Sequence, residues 1–209
     1  MNPKFYSFDD YHLYNDVHQK MENTVKGIIE KTSPPQIWLL EHASIYTVGT
    51  NAKPEDLLNP MFPVIHTGRG GQYTYHGPGQ LVGYVMLGLN KNQQDLKAFV
   101  QALMDWVSMT LNDVGLKTEK DVQHVGLWVN NGVLKNKIAA FGIRVTKWVT
   151  WHGFSINISP SLDHFSGIVP CGVKEFGVTS LKAEGFLNTR HEIESLLRKN
   201  FFKIDFFHK

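Results

Sequence analysis

Residues 69–80 read RGGQYTYHGPGQ, and the rest of the chain can be organised around them. Five of these positions are breakers: Gly70, Gly71, Gly77, Pro78 and Gly79. Glycine admits positive φ and lets another group approach the backbone closely, and proline fixes φ. Between the breakers stand a guanidinium, two hydroxyls and an imidazole on Arg69, Thr74, Tyr75 and His76. Composition alone leaves two readings open. One is a pocket wall built on a loop, and the other is a tight hairpin turn that contains His76.

On the N-terminal side, Leu13, Val17, Met21, Val25 and Ile28 recur at helical spacing and predict a helix over 9–30, with Asp9 or Asp10 as its cap. Ser33-Pro34-Pro35 ends it. Two short strands are expected at 37–40 and 44–48, separated by Glu41-His42-Ala43. A single helical turn follows at 54–57, with Pro54 in first position, and a strand at 64–66 feeds the glycine loop. Strands at 72–75 and 81–87 are expected to pair as a hairpin with His76-Gly77-Pro78-Gly79 at its tip.

On the C-terminal side, Leu96, Phe99, Val100, Leu103, Val107, Leu111 and Val114 predict a helix over 95–114 that Gly115 caps. The period then falls toward two. Residues 127–129, the turn Asn130-Asn131-Gly132, and the residues from Val133 onward read as a hairpin. Strands continue at 138–145 and 149–158, and 160–180 reads as irregular. A last helix starts at Thr189 with Glu192 completing a capping box, its apolar side being Ile193, Leu196, Leu197 and Phe201. The pattern implies one α+β domain over 1–209, a mixed and largely antiparallel sheet flanked by helices.

The chain has 209 residues, a formal charge of +2 and one cysteine. That charge, with no Lys/Arg block, argues against nucleic-acid binding. A lone cysteine excludes an intrachain disulfide and suits a reducing compartment. The acidic residues of MNPKFYSFDD and the lack of an apolar run of spanning length point away from a signal peptide or membrane helix. A cytoplasmic protein is expected.

Two residues outside the glycine loop stand out. Cys171 lies in IVPCGV, where it is either a small buried hydrophobe or a thiol displayed on a turn by Pro170 and Gly172. Lys137 opens the small apolar run Ile138-Ala139-Ala140. It is either a solvated charge at a hairpin edge or a partly desolvated amine of lowered pKa. His76 and His152 both adjoin glycine. Metal spacings such as HExxH or CxxC are absent, as are GxSxG, GxGxxG and GxxxxGK[ST], so no metal or nucleotide cofactor is expected.

Four blocks together resemble the lipoyl(octanoyl) transferase family: LLEHASIYTVG (39–49), HTGRGGQYTYHGPGQLVGYVML (66–87), KIAAFGIRVTKWVTWHGFSINI (137–158) and PCGVKEFGVTSL (170–181). The second and fourth are the specific ones. Ala43-Ser44 stands where members of the family often carry prolines. The resemblance implies the biotin/lipoate protein ligase fold and transfer of an octanoyl or lipoyl group without a cofactor. The donor is octanoyl-acyl carrier protein. The acceptors are lysines of the lipoyl domains of 2-oxoacid dehydrogenase complexes and of the glycine cleavage H protein. The family's acyl-carrying cysteine falls on Cys171 and its activating lysine on Lys137. Its acyl-binding positions fall on Arg69, Gly70, Gly71, Gln72, Tyr73, Thr74, Tyr75 and His76, on Ala140, Phe141 and Gly142, and on Gly153, Phe154 and Ser155. On this reading the glycines and alanines leave room for a narrow tunnel lined by Tyr73, Phe141 and Phe154. His76 either orients the carbonyl or packs the mouth. A monomer is expected, acting with no nucleic acid or membrane partner. An ATP-dependent lipoate ligase of the same fold and a non-catalytic carrier-binding module are the alternatives.

Overall fold

Alternating apolar residues on three central strands bury both faces of one sheet. The computed structural model describes residues 2–121, 123–130, 132, 134–169 and 177–208. In chain order its elements are β1 (Lys4–His12), α1 (Tyr14–Ile29), β2 (Gln36–His42), β3 (Ile45–Val48), β4 (Val64–His66), β5 (Tyr73–His76), β6 (Gln80–Met86), α2 (Leu96–Asp113), β7 (Glu119–Asp121), β8 (Gly126–Asn130), β9 (Lys135–Thr146), β10 (Val149–Asn157), β11 (Gly177–Val178) and α3 (Arg190–Phe201). The main sheet runs β1-β2-β6-β10-β9-β8-β7, with β11 added alongside β9. Its β1–β2 and β9–β11 pairs are parallel and the others antiparallel. A second sheet, β4-β3-β5, stands apart from it.

Ile37, Leu39, Leu81, Val85, Phe154 and Ile156 face α2 and α3, where they meet Phe99, Leu103, Trp106, Leu197, Phe201 and Phe207. Their alternates Trp38, Leu40, Val82, Tyr84, Met86 and Trp151 face α1 through Val17, Met21, Val25 and Ile28. Each large side chain buried this way contributes about 1.5–3 kcal/mol. Trp106 sits at the centre of the first layer. Its indole N–H donates to the Leu197 carbonyl at 2.8 Å, and its ring meets Phe154 and Phe201 edge-on, both at 5.2 Å. A smaller core of Tyr46, Val48, Tyr73, Tyr75, Phe165 and Ile168 closes the second sheet.

Two expectations need correcting. Residues 4–12 form strand β1, so Asp9 and Asp10 do not cap a helix, and Leu13 ahead of α1 caps it with no side-chain bond. Leu13 itself is exposed. β1 is an edge strand with mostly exposed side chains, so it lacks the apolar alternation that announces a strand. The hairpin between 72–75 and 81–87 does not form either. β5 pairs with β3, while β6 lies between β2 and β10. The Gly77-Pro78-Gly79 turn instead carries the chain from one sheet to the other. Gly79 has φ +82°, and a Cβ there would stand 2.6 Å from the Ser159 carbonyl carbon. Its N–H donates to Glu41 Oε2 at 2.6 Å, which pins the turn to the end of β2.

The remaining elements follow the sequence closely. The β8–β9 hairpin is present, and two of its turn residues, Asn131 and Val133, lie outside the described residues. The interval 160–180, expected to be irregular, holds a 3₁₀ turn at Leu162–Gly167 and the short β11. No helix among the described residues is long and apolar enough to cross a membrane.

Candidate active site

The facing sides of β9 and β10 are small where they look toward the second sheet. Ala140 pairs with Ser155 and Gly142 with Gly153, and across β10 the neighbours on β6 are Val82 and Tyr84. The residues between them, Ala139, Phe154 and Ile156, point to the opposite layer. Arg69 to Gln72 and strand β5 fold over this surface. The space left is a cavity of about 300 Å³. Its walls include Arg69, Gly71, Gln72, Tyr73, Thr74, His76, Lys137, Ala140, Phe141, Gly142, Gly153, Phe154 and Ser155.

Gly70 and Tyr75 do not line it. The Gly70 N–H is held by the Ile143 carbonyl at 2.9 Å, docking the loop on β9. Tyr75 points into the second core, where its hydroxyl meets Ser44 at 3.0 Å and His164 at 2.8 Å. Phe154 and Phe141, which border the cavity, also pack with the α2 layer. Cys171 lies outside the described residues. The cavity also draws on His152, noted in the sequence beside a glycine, and on residues that spacing did not single out: Tyr14, Asn51, Val82, Tyr84, Gln123, His124 and Val125. The alternation of β6 was the available signal for Val82 and Tyr84. Tyr14 arrives only through tertiary packing of α1.

Gly142 and Gly153, besides lining the cavity, allow close backbone approach. A Cβ on Gly142 would lie 3.0 Å from the Gly70 carbonyl oxygen, and one on Gly153 only 2.2 Å from that of Gly83. Arg69 is a clamp. Its guanidinium donates to the Thr47 carbonyl at 2.8 Å, to the Thr47 hydroxyl, and to the Gly70 and Gln72 carbonyls at 3.0 and 2.8 Å. One side chain therefore ties the loop to β3.

Lys137 is buried, with 5 % of its surface exposed. Its Nζ stands 4.5 Å above the Trp128 ring and 3.3 Å from the Val125 carbonyl. Room for it comes from Gly126, where a Cβ would meet Lys137 Cε at 2.8 Å. No ion pair to Lys137 occurs among the described residues. A ring face and one carbonyl stabilise an ammonium partially, and a buried charge without a counter-ion is costly. The backbone on either side of 170–176 is anchored nearby. Val169 N–H donates to the Asp56 carbonyl at 2.8 Å, Val178 pairs with Lys137, and Thr179 N–H donates to the Lys137 carbonyl at 2.9 Å.

Two lining residues of the cavity, His76 and His152, form a cluster of neutral imidazoles with His42. Burial is the largest cause that pushes His42 down to about 4 and His76 to about 3, and it holds His152 well below the usual histidine range. Burial also raises Tyr14 to about 12 and Tyr84 well above the ordinary phenol range, so both are protonated donors. His42 Nδ1–H donates to the His12 carbonyl at 3.0 Å, and its Nε2 accepts from the Tyr84 hydroxyl at 2.7 Å. His76 Nδ1–H donates to Gln80 Oε1 at 2.7 Å, because the Gln80 amide N–H groups go to the Tyr75 carbonyl and to Asn157 Oδ1 at 3.1 and 2.9 Å. Its Nε2 therefore carries a lone pair and no proton. In this state it accepts hydrogen bonds and cannot polarise a carbonyl by donating one. His152 has φ +60° inside β10, and its buried Nε2 has no hydrogen-bond partner among the described residues. No group of three or more His, Cys, Asp or Glu among the described residues is arranged to hold a metal ion.

Comparison with known proteins places this geometry. Residues 14–202 match the family model described as the lipoyl protein ligase A/B catalytic domain. An octanoyltransferase of Bartonella quintana is 47% identical over 91% of this chain and 82% of its own. One of Parvibaculum lavamentivorans is 49% identical over 90% of this chain and 86% of its own. Among solved structures, a bi-partite lipoate protein ligase of Thermoplasma acidophilum superposes with a TM-score of 0.74 at 14% identity, covering 100% of this chain and 84% of that one. A biotin protein ligase of Aquifex aeolicus gives a TM-score of 0.55 at 11% identity, over 97% and 68%. The structural likenesses speak for the fold, and the sequence relatives for the branch. The chain belongs to the lipoyl protein ligase A/B catalytic domain family, and within it to the octanoyltransferases.

Proposed function

We propose that the octanoyl group travels from acyl carrier protein to the lysine of a lipoyl domain by way of a thioester on Cys171, with Lys137 as the activating amine. The acceptors on this reading are lipoyl domains of 2-oxoacid dehydrogenase complexes and the glycine cleavage H protein. One observation carries it. Lys137 is a buried ammonium at the edge of a small-residue cavity, without a carboxylate among the described residues, and it sits in register with the strand that follows the Cys171 segment.

A free cysteine has a pKa of about 8.5, which leaves only a few per cent thiolate at neutral pH. A neighbouring ammonium favours the thiolate, and a thiolate answers the missing counter-ion of Lys137. In the first step the Cys171 thiolate bonds to the thioester carbonyl carbon, and the carrier sulfur leaves with the electron pair and takes a proton from water. In the second step the neutral amine of the acceptor lysine bonds to the same carbon and Cys171 leaves. The proton shed by the nitrogen goes to the departing sulfur. Thioester exchange is nearly balanced in energy, so no ATP is needed, and amide formation drives the sequence forward. At roughly 0.8 kcal/mol per buried methylene, the octanoyl chain supplies several kcal/mol of binding in the cavity.

Intact-mass measurement after mixing with octanoyl-acyl carrier protein tests this reading. The wild-type protein is expected to gain one octanoyl group, and Cys171→Ser to gain no stable thioester and lose nearly all transfer. Full transfer by Cys171→Ser would end the covalent route. Release of pyrophosphate from ATP and lipoate would favour the ligase chemistry instead.

A further inference from the structure

A second, much smaller cavity adjoins the first. It has a volume of about 10 Å³, the size of a single water, and its walls include Thr74, Gln80, Lys137, Ala140, Ser155 and Asn157. Thr74, Lys137, Ala140 and Ser155 belong to both cavities and so form the neck between them.

The polar groups around this niche divide sharply. The amides are spent: Gln80 donates to Tyr75 and Asn157, and Asn157 donates to the Thr179 carbonyl at 2.9 Å. The hydroxyls of Thr74 and Ser155 are not. Both residues are buried, with 9 % and 4 % exposed, and neither side chain has a hydrogen-bond partner among the described residues. Lys137 gives one N–H to the Val125 carbonyl and has others to spare. Thr74 and Ser155 thus bring two unspent hydroxyls to the lining of one small niche that Lys137 also borders. A niche bordered by hydroxyl and lysine donors suits an oxygen that carries negative charge.

We propose that this niche receives the carbonyl oxygen of the octanoyl group, with Thr74 Oγ1 and Ser155 Oγ as catalytic donors to the oxyanion. The proposal rests on Cys171 as the acyl carrier. When sulfur or nitrogen bonds to the carbonyl carbon, the C=O π pair moves onto oxygen, and it returns to re-form C=O as the leaving group departs. Both transfer steps pass through this oxyanion, so the same donors serve both. The acyl chain occupies the larger cavity, and its head at the neck puts the oxygen in the smaller one.

The test is the rate of acyl-enzyme formation from octanoyl-acyl carrier protein, followed by intact mass. Thr74→Val and Ser155→Ala are each expected to slow it about 10²–10³-fold, the usual loss for one oxyanion donor. The half-saturating donor concentration should stay within about threefold, as uniform binding is little affected. Thr74→Ser restores most of the rate. Alkylation of Cys171 by iodoacetamide passes through no carbonyl oxyanion and should keep its wild-type rate in all three variants. Wild-type acylation rates in Thr74→Val and Ser155→Ala would overturn the proposal, as would alkylation that falls in step with acylation. If the wild-type enzyme turns over without gaining mass, the thioester reading fails on its own. The niche is then read from overall transfer, which the two variants slow if it holds and leave unchanged if it does not.

Discussion

Lowering the pH from 7.5 to 5.5 should cost this fold about 4 kcal/mol, and three histidines account for it. Desolvation by burial leads the causes for His42, His76 and His152. It takes the first two to about 4 and about 3, and the third well below its ordinary value. The folded protein thus holds all three neutral throughout this range. In the unfolded chain each takes a proton near pH 6.5. The unfolded state therefore binds more protons, and stability falls as the pH drops below 6.5 until the folded values are reached. One pH unit of such a mismatch is worth about 1.4 kcal/mol per group, so three groups lose about 4 kcal/mol by pH 5.5. His18 shifts in the same direction, again with desolvation first, and its partial exposure limits its share. Carboxylates with ordinary values near 4 contribute little in this window. Urea unfolding at the two pH values measures the difference. His152→Asn removes one titrating ring while tolerating the positive φ of that position, and it should cut the pH dependence by about a third. A wild-type unfolding free energy that changes by less than about 1 kcal/mol across this range would refute the argument.

Lys137→Met keeps the bulk and removes the charge. It should move the alkylation profile of Cys171 upward toward the free-thiol value of about 8.5. A profile that does not move would break the proposed pairing. Gly153→Ala places a Cβ 2.2 Å from the Gly83 carbonyl oxygen in the adjacent strand. Overpacking against backbone should cost about 2–3 kcal/mol. Calorimetry should register this as a drop in Tm of roughly 4–12 °C, and an unchanged Tm would remove the steric account of that glycine.

The parts of the fold written in local chemistry were legible. α2 and α3 announce themselves by period and by their ends. Asp95 accepts from the N–H groups of Lys97 and Ala98 at 2.9 and 3.1 Å, Gly115 has φ +94°, and Thr189 with Glu192 makes both bonds of the capping box. What local chemistry does not encode is partnership. β5 and β6 look like a hairpin because they are neighbours in sequence, and they part because β6 has two other strands to satisfy. The site divides along the same line. Thr74, His76, Ala140 and Ser155 were reachable from the resemblance of whole blocks. Tyr14 and the neutral state of the imidazole cluster depend on what α1 covers, which no spacing within α1 reveals.

Arg69 lines the cavity, and its hydrogen bonds show what else a cation in such a loop does. A cation in a glycine-rich loop invites the reading of a ligand anchor. Yet its fork is committed to Thr47, Gly70 and Gln72, the points where the loop must be held against β3. On the proposed mechanism the chemical anchor is Lys137, whose side chain lies against a ring and one carbonyl. A guanidinium with planar donors suits fixed carbonyl clamping, and a compact ammonium suits a charge that must respond to a changing partner. The two cations at this cavity thus divide the work by geometry. One holds the roof, and on the proposed mechanism the other answers the negative charge that the reaction brings to the neck.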